Sequence, residues 1–246
     1  MIRFENSRTH DCNNVICQLL NPSLERLLEY EDLRKRITKA EEIFFEDIDR
    51  MDIAKSVIKS FPLGLFGWAS AHHVFQLLNI EFIRELAYKI KEIDPEIILE
   101  VGSGEGLLGK YLSKELEKEI ILTDDYSWWE KENVKIENKY VIRMDYKDAI
   151  KKYNPNFIIA SWIPYKRWWT KDFMECDSVK GYILIGEGPG GCTGNDMDWK
   201  TPWIIHNLDD IEMFGICRTD YGFHNKGYYN IRHTNISLFE RPDLNQ

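Results

Sequence analysis

The sequence predicts an α/β fold built on a mostly parallel β-sheet, and three observations support this. Five short apolar runs of strand length follow one another between residues 97 and 185. Helix-like segments lie between them, which is the alternation typical of parallel sheets covered by helices on both faces. A glycine-rich turn follows the first run, at the position where open α/β sheets carry ligand loops.

The predicted elements of this domain follow from their residue patterns. The apolar runs are IIL at 97–99, IIL at 120–122, YVI at 140–142, FIIA at 157–160 and YILI at 182–185. Segments 106–116 and 146–153 have helical spacing. Near the end, IEMFGICR (211–218) and NIRHTNISLFER (230–241) predict two further strands, joined by a loop rich in Gly and Tyr. We expect this pair to form a hairpin that closes one sheet edge.

The preceding region predicts a helical arm over residues 1–60, with the α/β domain spanning 61–246. Apolar residues recur at helical spacing from Leu24 to Ile48, and residues 21–23 (Asn-Pro-Ser) are a start signal. FPLGLFGWAS at 61–70 interrupts this pattern, and apolar spacing from Val74 to Ile90 predicts a second helix. We expect the aromatic segment 61–68 to act as a lid, and the N-terminal helices to offer a surface for a homo-oligomer or a partner subunit.

Composition excludes several classes of function. With 32 basic and 41 acidic residues the net charge is -9, and no basic stripe favours nucleic acid. The five cysteines include no C-x-x-C pair, and His206, His224 and His233 lack ligand spacing, so we expect no metal. The sequence also lacks a secretory apolar region and a long apolar run, which predicts a cytoplasmic protein without a membrane partner.

The glycine-rich turn after the first run has features of three kinds of ligand loop. A dinucleotide fingerprint would need glycine where Leu107 stands. A phosphate loop from Gly104 to Lys110 fails at the next residue, because Tyr111 replaces the Ser or Thr that would hold Mg²⁺. Helical spacing also places Gly109 and Lys110 in a helix. What remains is an acid followed by alternate glycines, Glu100-x-Gly102-x-Gly104-x-Gly106.

This pattern resembles the first motif of class I S-adenosylmethionine-dependent methyltransferases. Asp124 matches the acid that holds the ribose hydroxyls in that family, and Asp145 matches the residue that contacts the adenine amino group. The resemblance spans residues 96–240 and implies a Rossmann-like methyltransferase fold with a seven-stranded sheet whose last strand is antiparallel. The implied cofactor is S-adenosyl-L-methionine, and the implied binding residues are Glu100, Gly102, Ser103, Gly104, Gly106, Asp124, Asp125, Asp145, Tyr146, Ser161 and Trp162.

Charge supports the same ligand independently. S-adenosylmethionine carries a sulfonium and an ammonium and no phosphate, so a pocket rimmed by Glu100, Asp124 and Asp145 suits it and would repel a pyrophosphate. The alternative is that these three acids only cap helices.

Segments after the fourth and fifth runs supply the predicted catalytic residues. SWIPYKRWW (161–169) occupies the place of the family's fourth motif, although only Ser161, Pro164 and Tyr165 match the pattern of amino-methylating members. The glycine-rich segment 186–196 carries Glu187, which could orient a substrate or accept its proton. We therefore expect Glu187, Tyr165 and Trp168 to be catalytic. The alternative is that Glu187 is an exposed loop residue and that the two aromatic residues pack in a lid.

Tryptophans crowd the same predicted edge, namely Trp128, Trp129, Trp162, Trp168, Trp169, Trp199 and Trp203. They predict either an apolar wall for the substrate and the sulfonium methyl, or lid residues that pack on one another.

The sequence thus predicts a methyltransferase with an unidentified acceptor, in which a general base is optional. The first alternative is a noncatalytic or regulatory subunit that keeps the fold and binds the cofactor or a partner protein. An ATP-binding protein that uses residues 104–110 is the second.

Overall fold

The structure, a computed structural model, describes residues 18–20, 26–49, 68–69, 73–131, 139–218, 220–224, 227–230 and 233–242. Contacts divide the chain into two compact units. The first contains Ile83–Glu212 and the described residues from Thr234 onward; the second contains the described residues up to Phe82 and those of Met213–His233. The domain boundary predicted after residue 60 and the predicted lid segment 61–67 lie outside the described residues.

Nine strands are described, and seven of them form the sheet of the first unit. The strands are β1 (Ile98–Val101), β2 (Ile120–Asp124), β3 (Ile142–Arg143), β4 (Phe157–Ser161), β5 (Gly181–Gly186), β6 (Ile204–Asn207), β7 (Tyr221–His224), β8 (Gly227–Asn230) and β9 (Asn235–Glu240). The order in the large sheet is β3-β2-β1-β4-β5-β9-β6. Strands β1 to β5 are parallel, and β9 is antiparallel to both β5 and β6. The five predicted strands and the antiparallel last strand are confirmed.

The described helices are α1 (Tyr30–Asp49), α2 (Ile80–Ile93), α3 (Leu107–Leu116), α4 (Ser127–Lys131), α5 (Tyr146–Tyr153), α6 (Thr170–Glu175) and α7 (Asp209–Glu212), with a 3-10 turn at Asp196–Asp198. Helices α3 and α5 confirm the two helices predicted within the domain. Strands β1 and β5 are buried along their whole length, as expected of central strands covered on both faces. Tyr182 of β5 stacks on Phe239 of β9 with ring centroids 4.6 Å apart, which fixes the antiparallel strand in the core.

The C-terminal hairpin predicted at the sheet edge is wrong. Residues 211–218 end helix α7 and contribute one isolated bridge, between Gln76 and Cys217, instead of a strand. The Gly and Tyr segment expected to be a loop forms β7 and β8, a separate two-stranded sheet. The edge partner of β9 is β6, whose four residues are all exposed, so its sequence carries no alternation of buried and exposed positions.

Helix α1 belongs to the second unit, and its apolar face confirms the predicted amphipathic helix. Leu33, Ile37 and Ala40 are buried in one cluster, which also contains Leu77 and Ile216. The predicted start at 21–23 is wrong, because residues 26–29 are not helical. The helix begins at Tyr30, whose N–H donates to the Glu81 carboxylate (2.8 Å). A residue distant in sequence therefore caps this helix.

Helix α2 also begins later than its apolar spacing indicated, at Ile80 instead of near Val74. The Asn79 side chain accepts the N–H of Phe82 (2.9 Å), a normal N-cap bond, and its amide donates to the carbonyl of Phe214 (2.7 Å). The fully buried Asn79 thus satisfies both functions of its amide and fixes the helix start. Within the described ranges, no helix is long and apolar enough to cross a membrane.

Replacing Glu81 by alanine removes the acceptor for the Tyr30 N–H. We expect the free energy of unfolding to fall by about 0.5–2 kcal/mol, the usual effect of losing a cap. Urea unfolding followed by circular dichroism measures this, and Glu85→Ala, at an exposed position on the same helix, is the matched control. Equal stability of the two variants would show that Glu81 does not cap α1.

Candidate functional site

The loop after β1 adopts a backbone that only glycine takes without strain. Gly102, Gly104 and Gly106 have φ angles of 65°, 54° and 71°, all in the left-handed region. A Cβ at Gly106 would also lie 2.6 Å from Val141, so space as well as conformation requires glycine there. Gly106 is the N-cap of α3, and Gly109 and Lys110 lie within that helix, as predicted.

Ser103 ties this loop to the end of β2. Its N–H donates to the carbonyl of Thr123 (3.0 Å), while its hydroxyl donates to the carbonyl of Glu100 (3.1 Å) and accepts the N–H of Thr123 (3.2 Å). The Ser103 side chain is thereby a brace for the glycine loop. Its predicted contact with a cofactor stays a prediction.

Asp124 joins the loops that follow β1 and β2. Its two carboxylate oxygens accept the N–H of Gly104 (2.8 Å) and the N–H of Tyr126 (2.6 Å). Burial raises the pKa of the Asp124 carboxyl above its ordinary value, although both backbone bonds act in the opposite direction. A carboxylate has about four lone-pair positions, so Asp124 keeps the capacity to accept bonds from a ligand.

Glu100 lies in the core and not at the pocket rim where it was expected. Its side chain is 1% exposed, and its Oε2 has no hydrogen-bond partner among the described residues. A Cβ at Gly109 would lie 2.2 Å from this oxygen, so glycine in the first turns of α3 makes room for the carboxyl. Burial raises the pKa of Glu100 to about 8, outweighing the N–H of Gly109. The group is therefore mostly protonated at neutral pH.

Glu105 is an acid of the glycine loop that the sequence reasoning did not select. Burial raises its pKa to about 7, so it titrates near neutral pH. Burial raises the pKa of Tyr126 to about 12, and the negative charges of Asp124 and Glu105 act in the same direction. The signal available in the sequence was its place between Gly104 and Gly106.

The alternative of helix capping describes Asp145, and Asp125 makes a similar bond to the backbone. Asp145 is the N-cap of α5 and accepts the N–H of Lys147 (2.9 Å). Asp125 accepts the N–H of Ser127 (2.8 Å) where α4 begins. Each uses one carboxylate oxygen for this bond, and their predicted contacts with a cofactor stay predictions.

Two bulky residues after neighbouring strand ends have a strained backbone. Tyr126 after β2 and Trp162 after β4 have φ angles of 58° and 56°, which aromatic residues rarely adopt. Trp162 directly follows Ser161 and is held there by its N–H, which donates to the carbonyl of Ile185 (2.8 Å). Such strain is concentrated at functional sites, and here it marks the carboxyl edge of the sheet.

Trp169 is the aromatic residue that reaches the glycine loop. Two carbons of its indole lie 3.0 Å from the position of a Cβ at Gly102. The same ring stacks on Tyr146 with centroids 4.5 Å apart, and the Tyr146 hydroxyl donates to Asp172 (2.6 Å). The segment after β4 therefore covers the loop after β1.

Other members of the predicted aromatic wall lie elsewhere. Trp199 and Trp203 are buried in the core of the first unit, so for these two the wall is wrong. Tyr165 and Trp168 are 61% and 39% exposed, and a lysine lies over each ring. Their predicted catalytic roles stay predictions, and the side chain of Trp129 lies outside the described part of the chain.

Glu187 shapes its own loop. Its carboxylate accepts the N–H of Cys192 (2.6 Å), and its N–H donates to the Thr193 hydroxyl (3.1 Å). These two bonds fold the loop back on itself. A role in orienting a substrate stays a prediction.

A buried acid that the sequence reasoning missed, Asp198, fixes the position of Trp169. It is fully buried and accepts the N–H (3.0 Å) and the hydroxyl (2.9 Å) of Thr170, the residue after Trp169. Its other oxygen accepts the N–H of Asn195 (2.8 Å). Because Asn195 and Asp198 also form a capping box, their spacing was the available signal.

The strand order, with β9 as the reversed strand, decides the fold class. The fold is the Rossmann-like fold of class I methyltransferases. Neither a protein-family model nor a curated protein matches the sequence.

Several solved structures resemble this chain at low sequence identity. The methyltransferase domain of bacterial CtHen1 is 12% identical over 65% of this chain and 97% of its own, with a TM-score of 0.38. TehB from Haemophilus influenzae is 14% identical over 64% and 62%, with a TM-score of 0.38. Magnesium protoporphyrin IX methyltransferase (ChlM) from Synechocystis PCC 6803 with bound SAH is 12% identical over 65% and 82%, with a TM-score of 0.33. Similarity at this level says nothing about the acceptor.

Replacing Glu100 by glutamine removes a buried titrating group at nearly constant volume. The folded carboxyl has a pKa of about 8 against an ordinary value of 4.5, so the folded state binds more protons between these values. The free energy of unfolding of the natural protein should therefore fall as pH rises from about 5 to about 9, by at most about 1.4 kcal/mol per pH unit.

The Glu100→Gln variant should show a shallower slope and greater stability than the natural protein near the alkaline end. Urea unfolding at several pH values, with exposed Glu96→Gln as the control, measures the slopes. A slope unchanged by Glu100→Gln contradicts the burial of a protonated carboxyl.

Proposed function

We propose that the chain binds S-adenosylmethionine at the carboxyl edge of its sheet and transfers the methyl group to an acceptor. The observation that carries the proposal is the glycine loop surrounded by carboxyls: three left-handed glycines beside Glu100, Glu105 and Asp124. Burial raises the pKa of all three carboxyls, so Glu100 is mostly protonated at neutral pH, and Glu105 and Asp124 are the acids that can supply negative charge. Such a site favours a cationic ligand.

The same features disfavour a phosphate ligand. Only Glu105 and Gly106 separate Gly104 from helix α3, so no long phosphate-cradling loop is formed. Lys110 is exposed in the helix, and the acids beside the loop would repel a triphosphate. The ATP-binding alternative therefore loses its support.

The residues that would hold the cofactor lie on three loops. Gly102 and Gly104 have a left-handed backbone after β1, Asp124 offers carboxylate oxygens for ribose hydroxyls after β2, and Asp145 and Tyr146 follow β3. When bound, S-adenosylmethionine supplies a methyl group already activated by the positive charge on sulfur. The protein then has mainly to position the acceptor and exclude water.

The segments after β4 and β5 are suited to that positioning. Asp198, in the segment after β5, accepts hydrogen bonds from Thr170 after β4 and from Asn195 of its own segment, and it thereby holds the two segments together. Trp169 lies over Gly102. Trp162, Tyr165 and Trp168 add aromatic surface along the first of these segments. An apolar enclosure of this kind lowers the local water content around a transferring methyl group.

A noncatalytic or regulatory subunit is the second candidate, and the position of Trp169 favours it. Its indole fills the space beside Gly102, so a ligand that approaches this glycine must displace the ring. In an enzyme the ring moves aside or stacks on the ligand; in a regulatory relative that binds a partner protein and not the cofactor it would stay in place.

Cofactor binding tests the proposal directly. Calorimetric titration with S-adenosylmethionine should show binding, and Asp124→Ala should weaken it by about 1–3 kcal/mol through the loss of hydrogen bonds. Lys110→Ala is the matched control and should leave affinity nearly unchanged, because Lys110 is exposed. Binding unaffected by Asp124→Ala would remove Asp124 from the site, and a large loss in Lys110→Ala would restore the phosphate loop.

Methyl transfer distinguishes the enzyme from the regulatory subunit. Incubation of a cell extract with methyl-labelled cofactor, followed by size fractionation, should label one acceptor class in the presence of the protein. Glu187→Gln and Trp168→Ala should reduce turnover far more than cofactor affinity, as expected of contacts made with the acceptor in the transition state.

Glutamine at 187 retains an oxygen for the Cys192 N–H, so the loop itself should persist. Glu175→Gln, at an exposed position on α6, is the control. Tight cofactor binding without transfer into any fraction would favour the regulatory subunit.

A further inference from the structure

The second unit contains a cluster of three potential metal ligands around one carboxylate. The ligand atoms of Cys217, Asp220 and His233 all lie within 4.8 Å of one another. Cys217 and Asp220 are 0% and 2% exposed, whereas His233 is partly exposed. From this cluster we infer that Cys217, Asp220 and His233 form a zinc site.

The distances around Asp220 are close to those of a tetrahedral zinc centre. Its Oδ1 lies 3.0 Å from the Cys217 sulfur and 3.2 Å from Nδ1 of His233. Zinc bonds of about 2.3 Å to sulfur and about 2.0 Å to nitrogen or oxygen separate tetrahedral ligand atoms by about 3.3–3.5 Å. The two separations from Oδ1 therefore need to change by at most about half an ångström, and the sulfur and the imidazole nitrogen, which lie within 4.8 Å of each other, have to approach one shared ion.

Hydrogen bonding alone explains the cluster less well. Oδ1 of Asp220 has three neighbours at bonding distance, namely the His233 N–H (2.8 Å), the Cys217 sulfur and Nδ1 of His233. The Nδ1 contact is a hydrogen bond only in the tautomer that carries a proton on Nδ1, and that proton would be a third donor to an oxygen with about two lone-pair positions. With zinc present, the sulfur and Nδ1 would bind the ion, and the His233 N–H would keep its place on the oxygen.

Backbone bonds hold the carboxylate in position with or without an ion. Oδ2 of Asp220 accepts the N–H of Cys217 (2.8 Å), while Oδ1 accepts that of His233. Such outer bonds orient metal ligands and reduce the cost of assembling the site. The arrangement is therefore a fixed carboxylate with two further ligands beside it.

Charge also matches a divalent cation. A Cys217 thiolate, an Asp220 carboxylate and a neutral His233 carry a total charge of minus two when they bind a metal, which Zn²⁺ neutralises. The nearby Arg218 guanidinium lies over the Phe75 ring (4.4 Å to the centroid), where cation–π contact occupies it. The mixed sulfur and nitrogen donors favour zinc over magnesium or calcium.

The position of the cluster gives the ion a role. Cys217 and Asp220 precede β7, and His233 follows β8, so the three residues close the base of this hairpin. A two-stranded hairpin is marginally stable alone, and a metal at its base would stabilise it. The partial exposure of His233 leaves a path for the ion and room for water as a fourth ligand.

The test uses the full chain. After dialysis against zinc and then buffer, elemental analysis should find about one zinc per chain, as for a single structural site. Replacement by cobalt should give a thiolate-to-cobalt charge-transfer absorption. Cys217→Ser should abolish that absorption, and His233→Ala should lower the zinc content, whereas Cys192→Ser, at an exposed cysteine of the other unit, should retain both.

Absence of zinc from the natural protein overturns the proposal, as does a cobalt spectrum that Cys217→Ser leaves unchanged. If Cys217→Ser fails to fold, the pair His233→Ala and Cys192→Ser decides, because His233 is partly exposed and its loss spares the buried core. Equal zinc content in that pair would overturn the proposal.

Discussion

The hydrogen bond from the Gly104 N–H to the Asp124 carboxylate holds the candidate site together. This bond (2.8 Å) connects the loops that follow β1 and β2. It can form because these strands are parallel neighbours whose carboxyl ends coincide. The same carboxylate accepts the Tyr126 N–H, so the strained turn after β2 depends on it as well. One side chain thus determines the shape of two loops.

Glu100 in β1 is a buried acid, and the fold has room for its carboxyl only because residue 109 is a glycine. The Glu100 carboxyl contacts helix α3 at Gly109, where any side chain would collide with it. Burial without a partner for Oε2 among the described residues costs stability, and it raises the pKa of the carboxyl. A cost of this kind is typical of sites that are organised for a ligand instead of for maximum stability.

The second unit shows the same reliance on long-range polar contacts. Glu81 caps α1, Asn79 caps α2 while also binding Phe214, and Asp220 gathers Cys217 and His233 at the base of the β7–β8 hairpin. In each case a buried or partly buried polar group satisfies backbone atoms that are distant in sequence. These contacts position the segments that apolar packing alone would leave unspecified.

The sequence by itself determined the parallel strands β1 to β5, helices α3 and α5, and the glycine loop. Apolar runs and helical spacing are local signals, and the left-handed turn at residues 102–106 needs glycine whatever surrounds it. Only the tertiary structure decided the helix starts at Tyr30 and Ile80 and the edge strand β6, because their backbone partners are remote in the chain. The separate hairpin pairs two neighbouring segments that the sequence had predicted to be a loop. It also decided that Glu100 is buried, that Trp169 and not Trp199 or Trp203 reaches Gly102, and that His233 meets Cys217 and Asp220. The physical reason is that burial and contact depend on what packs against a residue, which no local pattern records.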